Sequence, residues 1–224
     1  TEDASGQVIA RAEDIRLELE EIRRTLARFV GEIEQVPPMY SAVKVDGKRL
    51  YELARQGHEV ERKARKVVIH LLELEQAELM HRYPKLRLRV LCSKGTYIRT
   101  LCKDIGEALG YPAVMSGLVR TMSCGIRLDQ CLSLERIAEL HAQGQLADRL
   151  IPADEALTYL PAVHVDEQTA LRLLQGQRVK LVTQTSAAGY GPQRLVRIYG
   201  PGERFIGICQ VQGRLILPHK MFQS

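Results

Sequence analysis

The chain has 224 residues, of which 45% are hydrophobic and 26% charged, and it carries a net charge of +5. These values are typical of a globular protein with room for one large domain, or for a medium domain and a small one. The sequence has no run of 18 apolar residues, which excludes a membrane-spanning helix. The acidic start, Thr1-Glu2-Asp3-Ala4-Ser5-Gly6, is not a signal peptide and has no initiator Met. We therefore expect the chain to begin partway through a gene product.

Five cysteines occur at irregular spacing, without a Cys-x-x-Cys pair or a Cys/His ligand pattern. Free thiols of this kind are typical of a reducing cytoplasm, where we expect the protein to reside. The six histidines are scattered along the chain. We therefore predict neither a structural zinc nor another metal site.

The first predicted element is an amphipathic helix over residues 13–30, in which apolar side chains recur at helical spacing. Pro37-Pro38 forces extended backbone after it. Asp46-Gly47 predicts a turn, and residues 48–56 have the spacing of a second helix.

Two strands and two helices follow. Residues 67–72 are rich in β-formers, and residues 85–91 alternate between apolar side chains and arginines, which predicts a half-buried strand. A helix is predicted after Gly95, with Gly110 as its C-cap, and another near residues 133–143.

The composition changes near residue 150, where a Gly-rich region with short strands begins. A short helix is predicted over residues 166–175, and strands over residues 194–199, 205–211 and 214–217. This pattern predicts a small β-barrel domain over residues 151–224, next to a larger domain over residues 1–150.

Charge is distributed unevenly along the first domain. Residues 1–39 contain nine acids against five arginines, whereas residues 40–66 contain eight Lys or Arg residues against four acids. A basic segment beside an acidic one fits contact with a polyanion on one side of the protein. A solvated loop would have the same composition, and charge alone does not separate the two interpretations.

Residues 92–101 combine a strand end, a Gly turn and a helix start, with Tyr97 and Arg99 at the mouth of the turn. Free backbone N–H groups there could face an anion, and an aromatic ring beside a guanidinium could stack on a base and pair with a carboxylate. The same residues could be an ordinary helix N-terminus with a core Tyr and a surface Arg, and without further information the pattern favours that interpretation.

Several ordered motifs resemble the TruB family of tRNA pseudouridine synthases. Residues 93–101 (SKGTYIRTL), with Asp104-Ile105-Gly106 and Leu109-Gly110, match its central signature. Residues 35–57 are similar to the bacterial RNA-gripping loop, and residues 118–121 (LVRT) to its leucine-arginine-arginine-threonine motif. The stretch Thr1–Gly6 resembles the family's Asp-x-x-Gly segment. Residues 151–224 resemble its PUA-like domain more weakly, mainly through Arg197-Ile198-Tyr199 and Phe205-Ile206-Gly207.

The resemblance implies an α+β pseudouridine synthase fold, with a mixed, mostly antiparallel sheet flanked by helices and a PUA-like β-barrel after it. It implies isomerisation of uridine 55 in the T-loop of tRNA, through an aspartate nucleophile and a flipped-out base, with no cofactor and no metal. Tyr97 would stack on the uracil, Leu118 would form an apolar wall, and Arg99 would hold the nucleophile ionised. An insertion at residues 38–66 would contact the T-arm through Tyr40, Ser41, Lys44, Lys48, Arg49 and Arg55.

The sequence also departs from the family pattern. The family's nucleophile motif, Gly-x-Leu-Asp-x-x-Ala-x-Gly, is not present in these 224 residues, so no aspartate is nominated and the chain alone is predicted to be inactive. Val119 and Met122 replace usual arginines. With its first strands outside the chain, the sheet would expose an edge.

Three interpretations follow from the sequence. The first is a stand-alone tRNA pseudouridine synthase that acts as a monomer without a guide RNA. The second is a non-catalytic RNA-binding module or RNA chaperone on the same scaffold. The third, a guide-RNA-dependent relative, is disfavoured because the bacterial-type segment from Tyr40 to Gly57 is intact.

Overall fold

Two larger β-sheets organise the computed structural model, which describes residues 2–45, 47–180 and 194–222. The chain divides into two units, Thr1–Val119 and Arg120–Ser224. The boundary near residue 150 between a larger domain and a small β-barrel domain, which the composition predicted, stays a prediction. No helix in the described ranges is long and apolar enough to cross a membrane.

The first unit holds its elements in this order: α1 (Leu19–Ala27), β1 (Gly31–Gln35), β2 (Lys44–Val45), β3 (Lys48–Arg49), α2 (Leu50–Arg55), β4 (Arg65–Glu78), β5 (Lys85–Cys92) and α3 (Ile98–Ala108). Its main sheet has the order β1-β4-β5, and both pairings are antiparallel. The alternation predicted for residues 85–91 is confirmed, since β5 alternates between exposed arginines and half-buried leucines. The buried apolar face packs against α1 and α3, in a core built from Ile22, Leu26, Ile69, Leu72, Leu101, Ile105 and Leu109.

The first helix is shorter than the predicted range of residues 13–30. A tertiary contact explains the difference, because the Tyr111 hydroxyl contacts both the backbone N–H (3.2 Å) and the C=O (3.3 Å) of Arg16. Asp14 also has a positive φ of 51°, which a helix does not allow. The chain before Leu19 is therefore held by the Tyr111 side chain rather than by helical hydrogen bonds.

The basic insertion (residues 38–66) begins with a small hairpin, in which Lys44 pairs with Arg49 and Val45 with Lys48. Gly47 has a φ of 81°, as the predicted turn requires, while its neighbour Asp46 lies outside the described residues. The second predicted helix is confirmed as α2, which starts at Leu50 because the two residues before it belong to the hairpin.

The second unit contains β6 (Met122–Ser123), β7 (Ile126–Arg127), α4 (Leu134–Ala142), β8 (Ala162–His164), α5 (Glu167–Leu174), β9 (Val179–Lys180), β10 (Arg194–Gly200), β11 (Arg204–Gln212) and β12 (Leu215–Met221). Five strands form a mixed sheet in the order β8-β10-β11-β12-β9, with β8 parallel to β10. The predicted helices near residues 133–143 and 166–175 are confirmed, and Ser133 and Asp166 are their N-caps. The core contains Val163, Ala170, Leu173, Val196, Ile198, Ile206, Cys209, Val211 and Ile216.

Candidate active site and RNA interface

The turn at residues 93–97 connects β5 to α3 and is held by local hydrogen bonds. Ser93 extends the pairing with β4, since its N–H donates to the Val68 C=O (2.8 Å) and its Oγ accepts from the Val68 N–H (2.9 Å). The Thr96 hydroxyl donates to the Ser93 C=O at 2.9 Å. Gly95, with a φ of 86°, reverses the chain direction there. This arrangement places Tyr97 at the N-cap of α3 and Arg99 in its first turn.

Arg99 connects this turn to the basic insertion. Its Nη2 donates to the backbone C=O of Tyr40 at 2.7 Å, although the two residues are 59 positions apart in sequence. Tyr97 and Arg99 are both half-buried, and the Tyr40 residue is 41% exposed. The structure therefore brings together three of the residues that the sequence analysis singled out.

Asp3 is a further charged residue at this site, and the sequence analysis gave it no role. Hydrogen bonds from the Ser5 backbone N–H (3.0 Å) and hydroxyl (2.7 Å) lower the pKa of its carboxyl group, and the Arg99 guanidinium lowers it further. The carboxylate therefore stays ionised near Arg99. The Asp-x-x-Gly pattern in Thr1–Gly6 was the sequence signal that could have placed Asp3 at this site.

Leu118, the predicted apolar wall, lies in an exposed segment. The backbone of this segment pairs with the chain at Asp3, which lies near Arg99. Asp3 and Met115 form an isolated parallel bridge, and the Ala4 N–H donates to the Met115 C=O at 2.9 Å. Leu118 itself is 55% exposed. The structure thus fixes the backbone three residues before Leu118.

Two more carboxylates lie on α3 or beside it. Glu2 accepts a hydrogen bond from the buried Thr100 hydroxyl at 2.7 Å. Burial raises the pKa of Asp104, and the negative charges of Glu107 and Glu2 raise it further, while Lys103 acts in the opposite direction. Arg99, in the first turn of α3, and Lys103, one turn later, are thus accompanied by the carboxylates of Glu2, Asp104 and Glu107.

The basic insertion exposes most of the side chains predicted to touch RNA. Lys44, Lys48, Arg49 and Arg55 are all exposed. The guanidinium groups of Arg49 and Arg55 lie 5.8 Å and 5.4 Å from the centroid of the Tyr51 ring, within the range of cation–π contact.

The Tyr51 hydroxyl also accepts a hydrogen bond from Arg49 Nη1 at 2.8 Å, and this bond raises the pKa of Arg49. The guanidinium of Arg49 is thereby held beside the Tyr51 ring.

Ser41 differs from the other predicted contacts. It is 5% exposed, and within the described residues its hydroxyl has no hydrogen-bond partner. Its backbone C=O accepts from the Tyr51 N–H at 3.1 Å, which fixes the start of the insertion against α2. In this conformation the Ser41 side chain is buried and its backbone supports the hairpin, and its contact with RNA stays a prediction.

Three family models match consecutive parts of the chain. Residues 1–98 match the TruB family pseudouridylate synthase (N terminal domain), and residues 99–158 match the tRNA pseudouridylate synthase B C-terminal domain. Residues 161–222 match Pseudouridine synthase II TruB, C-terminal.

Curated relatives agree with these matches. The chain is 41% identical over 225 residues to tRNA pseudouridine synthase B of Ralstonia nicotianae, covering 99% of this chain and 69% of the relative. The chain belongs to the TruB family of pseudouridine synthases. This TruB chain is also 47% identical to tRNA pseudouridine synthase B of Geobacillus kaustophilus over 184 residues, 81% of this chain and 65% of that one. It thus spans about two thirds of the length of these relatives.

Solved structures confirm the predicted α+β pseudouridine synthase fold of this TruB chain. A chain in the crystal structure of a Cbf5-Nop10-Gar1 complex superposes with a TM-score of 0.71 at 22% identity, over 95% of this chain and 64% of that chain. A chain in the structure of an H/ACA RNP bound to a substrate RNA containing 2'-deoxyuridine gives a TM-score of 0.69 at 19% identity, over 96% and 63%.

Proposed function

We propose that the gene product containing this chain is a tRNA pseudouridine synthase that isomerises uridine 55 in the T-loop. The observation that carries the proposal is the junction of Arg99 with Tyr40, which joins the signature turn to a basic insertion. In this proposal the signature turn receives the flipped base and the basic insertion contacts the RNA backbone. The names of the TruB relatives, each a tRNA pseudouridine synthase B, support the same reaction.

The residue roles in this proposal follow the motifs. Tyr97 stacks on the extruded uracil and Leu118 closes the pocket from the apolar side, which offsets the cost of unstacking the base. Arg99 pairs with the carboxylate nucleophile and keeps it ionised, as a buried charge requires a partner. None of the aspartates in this chain is assigned as the nucleophile.

The RNA is held mainly by charge. Lys44, Lys48, Arg49 and Arg55 are placed to contact phosphates of the T-arm, which gives affinity that depends on salt. Residues 151–224 add eight Lys or Arg residues against five acids, and we assign this region as the PUA-like RNA-binding domain. Base pairing to a guide RNA has no role in this proposal. The enzyme acts as a monomer on tRNA in the cytoplasm.

Release of tritium from a T-arm transcript labelled at C5 of uridine tests the proposal, because forming the carbon–carbon glycosidic bond at C5 expels that hydrogen. The full-length gene product and the 224-residue chain are assayed in parallel, with binding to the same transcript measured separately. We expect release by the full-length product alone. Tight binding with no release by either protein would replace the enzyme with a non-catalytic RNA-binding module.

A further inference from the structure

Gln35, the last residue of β1, makes a two-point contact with the signature turn. Its side-chain Nε2 donates to the Tyr97 C=O at 3.1 Å, and its Oε1 accepts from the Tyr97 N–H at 2.8 Å. Gln35 is only 2% exposed. A buried carboxamide is costly unless its polar atoms are paired, and here one residue, 62 positions away in sequence, pairs both ends of it.

This contact fixes the backbone on both sides of the Tyr97 side chain. Tyr97 is the N-cap of α3, where φ is −98° and ψ is 107°, and within the described residues its side chain accepts no capping hydrogen bond. Its C=O also accepts the first helical bond, from the Leu101 N–H at 3.0 Å. The Gln35 carboxamide therefore acts like the peptide group of a neighbouring strand and sets the direction in which the Tyr97 ring leaves the backbone.

The same contact closes a ring of interactions around the candidate site. From Gln35 the chain runs through the buried Pro37-Pro38 pair to Tyr40, whose C=O accepts from Arg99. The prolines restrict this arm to extended backbone. Two short segments, residues 35–40 and 97–99, are thus joined at both ends, once by the Gln35 carboxamide and once by the Arg99 guanidinium.

We propose that Gln35 is a positioning residue for pseudouridine formation, which holds Tyr97 and Arg99 in the geometry that the reaction needs. The inference rests on the proposed function. The buried Gln35 is out of reach of the RNA, and the exposed cations of the basic insertion remain when its amide is removed. Loss of the carboxamide therefore lowers the rate of the chemical step and leaves the affinity for the T-arm nearly unchanged.

The test compares Gln35→Leu with the unsubstituted full-length protein, using single-turnover tritium release and binding of the labelled T-arm transcript. A misplacement of about 1 Å costs on the order of 100-fold in rate, and we expect a loss of at least about 30-fold with a dissociation constant within about twofold of the original. Leu86→Val is the matched control for lost stability, because Leu86 is a half-buried core residue at the far end of β5. We expect this control to keep its rate.

Gln35→Glu supplies a readout that a general loss of stability does not give. Ionised Glu can accept from the Tyr97 N–H but places a second negative oxygen against the Tyr97 C=O, whereas the protonated acid can donate to that C=O as Gln does. We expect the rate of Gln35→Glu, relative to the unsubstituted protein at each pH, to recover as the pH falls. A relative rate that stays flat with pH in a folded variant contradicts the positioning role.

The outcomes separate the two proposals. A full-rate Gln35→Leu variant, or a rate loss that Leu86→Val reproduces, overturns the role of Gln35 while the synthase assignment stands. No tritium release by the unsubstituted full-length protein overturns the synthase assignment and the positioning role with it. If Gln35→Leu does not fold, the pH profile of Gln35→Glu decides.

Discussion

Substitution of Gly106 by Ala is expected to destabilise the protein and to disturb the site, because α3 and the following loop approach each other closely at this glycine. A Cβ added at Gly106 would lie 2.2 Å from the Ala113 Cβ and 2.8 Å from the Tyr111 C=O. Carbon atoms pack at about 3.5–4.0 Å, so the loop must move by more than about 1 Å.

The magnitude follows from two opposing effects. Overpacking of this kind costs about 1–3 kcal/mol, whereas Ala in place of Gly in a helix contributes about 1 kcal/mol in the other direction. We expect the free energy of unfolding to fall by up to about 2 kcal/mol. The moving loop contains Tyr111, which holds Arg16, and leads to the Met115 bridge with Asp3. Tritium release is therefore expected to fall as well.

Denaturant unfolding of the full-length protein measures the effect, with Gly117→Ala as the matched control. Gly117 lies in the same loop, and an added Cβ meets nothing within 4 Å, so its stability is expected to change by less than about 0.5 kcal/mol. The double variant Gly106→Ala with Ala113→Gly is expected to recover part of the loss. Unchanged or increased stability of Gly106→Ala would refute the packing argument.

Three further predictions concern charge. Arg99→Lys is expected to slow tritium release by about 100-fold at nearly unchanged RNA affinity, because a point charge loses the fork geometry of the guanidinium; a rate within threefold contradicts the pairing role. Lys44→Ala and Lys48→Ala are each expected to reduce the slope of log affinity against log salt by about 0.9, and Lys103→Ala, on α3, to leave it unchanged; equal slopes for all variants exclude the insertion as the phosphate contact. Asp104→Asn is expected to raise the melting temperature at pH 7, since burial raises the pKa of Asp104 and the folded state then binds its proton more tightly than the unfolded state. That gain should disappear below the unfolded pKa of about 3.8, and a gain that persists at acid pH rules out this explanation.

Elements with a strict local period were predictable from the sequence. Strand β5 was predictable from the alternation of residues 85–91, because successive side chains of a strand point alternately to solvent and to the buried face. The C-terminal helices begin and end at residues whose capping chemistry is local, such as Asp166, which accepts from the Thr169 N–H at 2.7 Å. The first helix was predicted too long because its start depends on Tyr111, which lies almost a hundred residues away.

The sequence by itself determined the family and the order of the elements, and it nominated a small set of site residues, since these features reside in contiguous motifs. Tertiary structure alone decided how those motifs meet. The pairing of Gln35 with Tyr97, the bond from Arg99 to Tyr40 and the position of Asp3 each join residues at least 59 positions apart. Such contacts leave no local pattern, because their free energy is gained only when the sheet and α3 bring the two segments together.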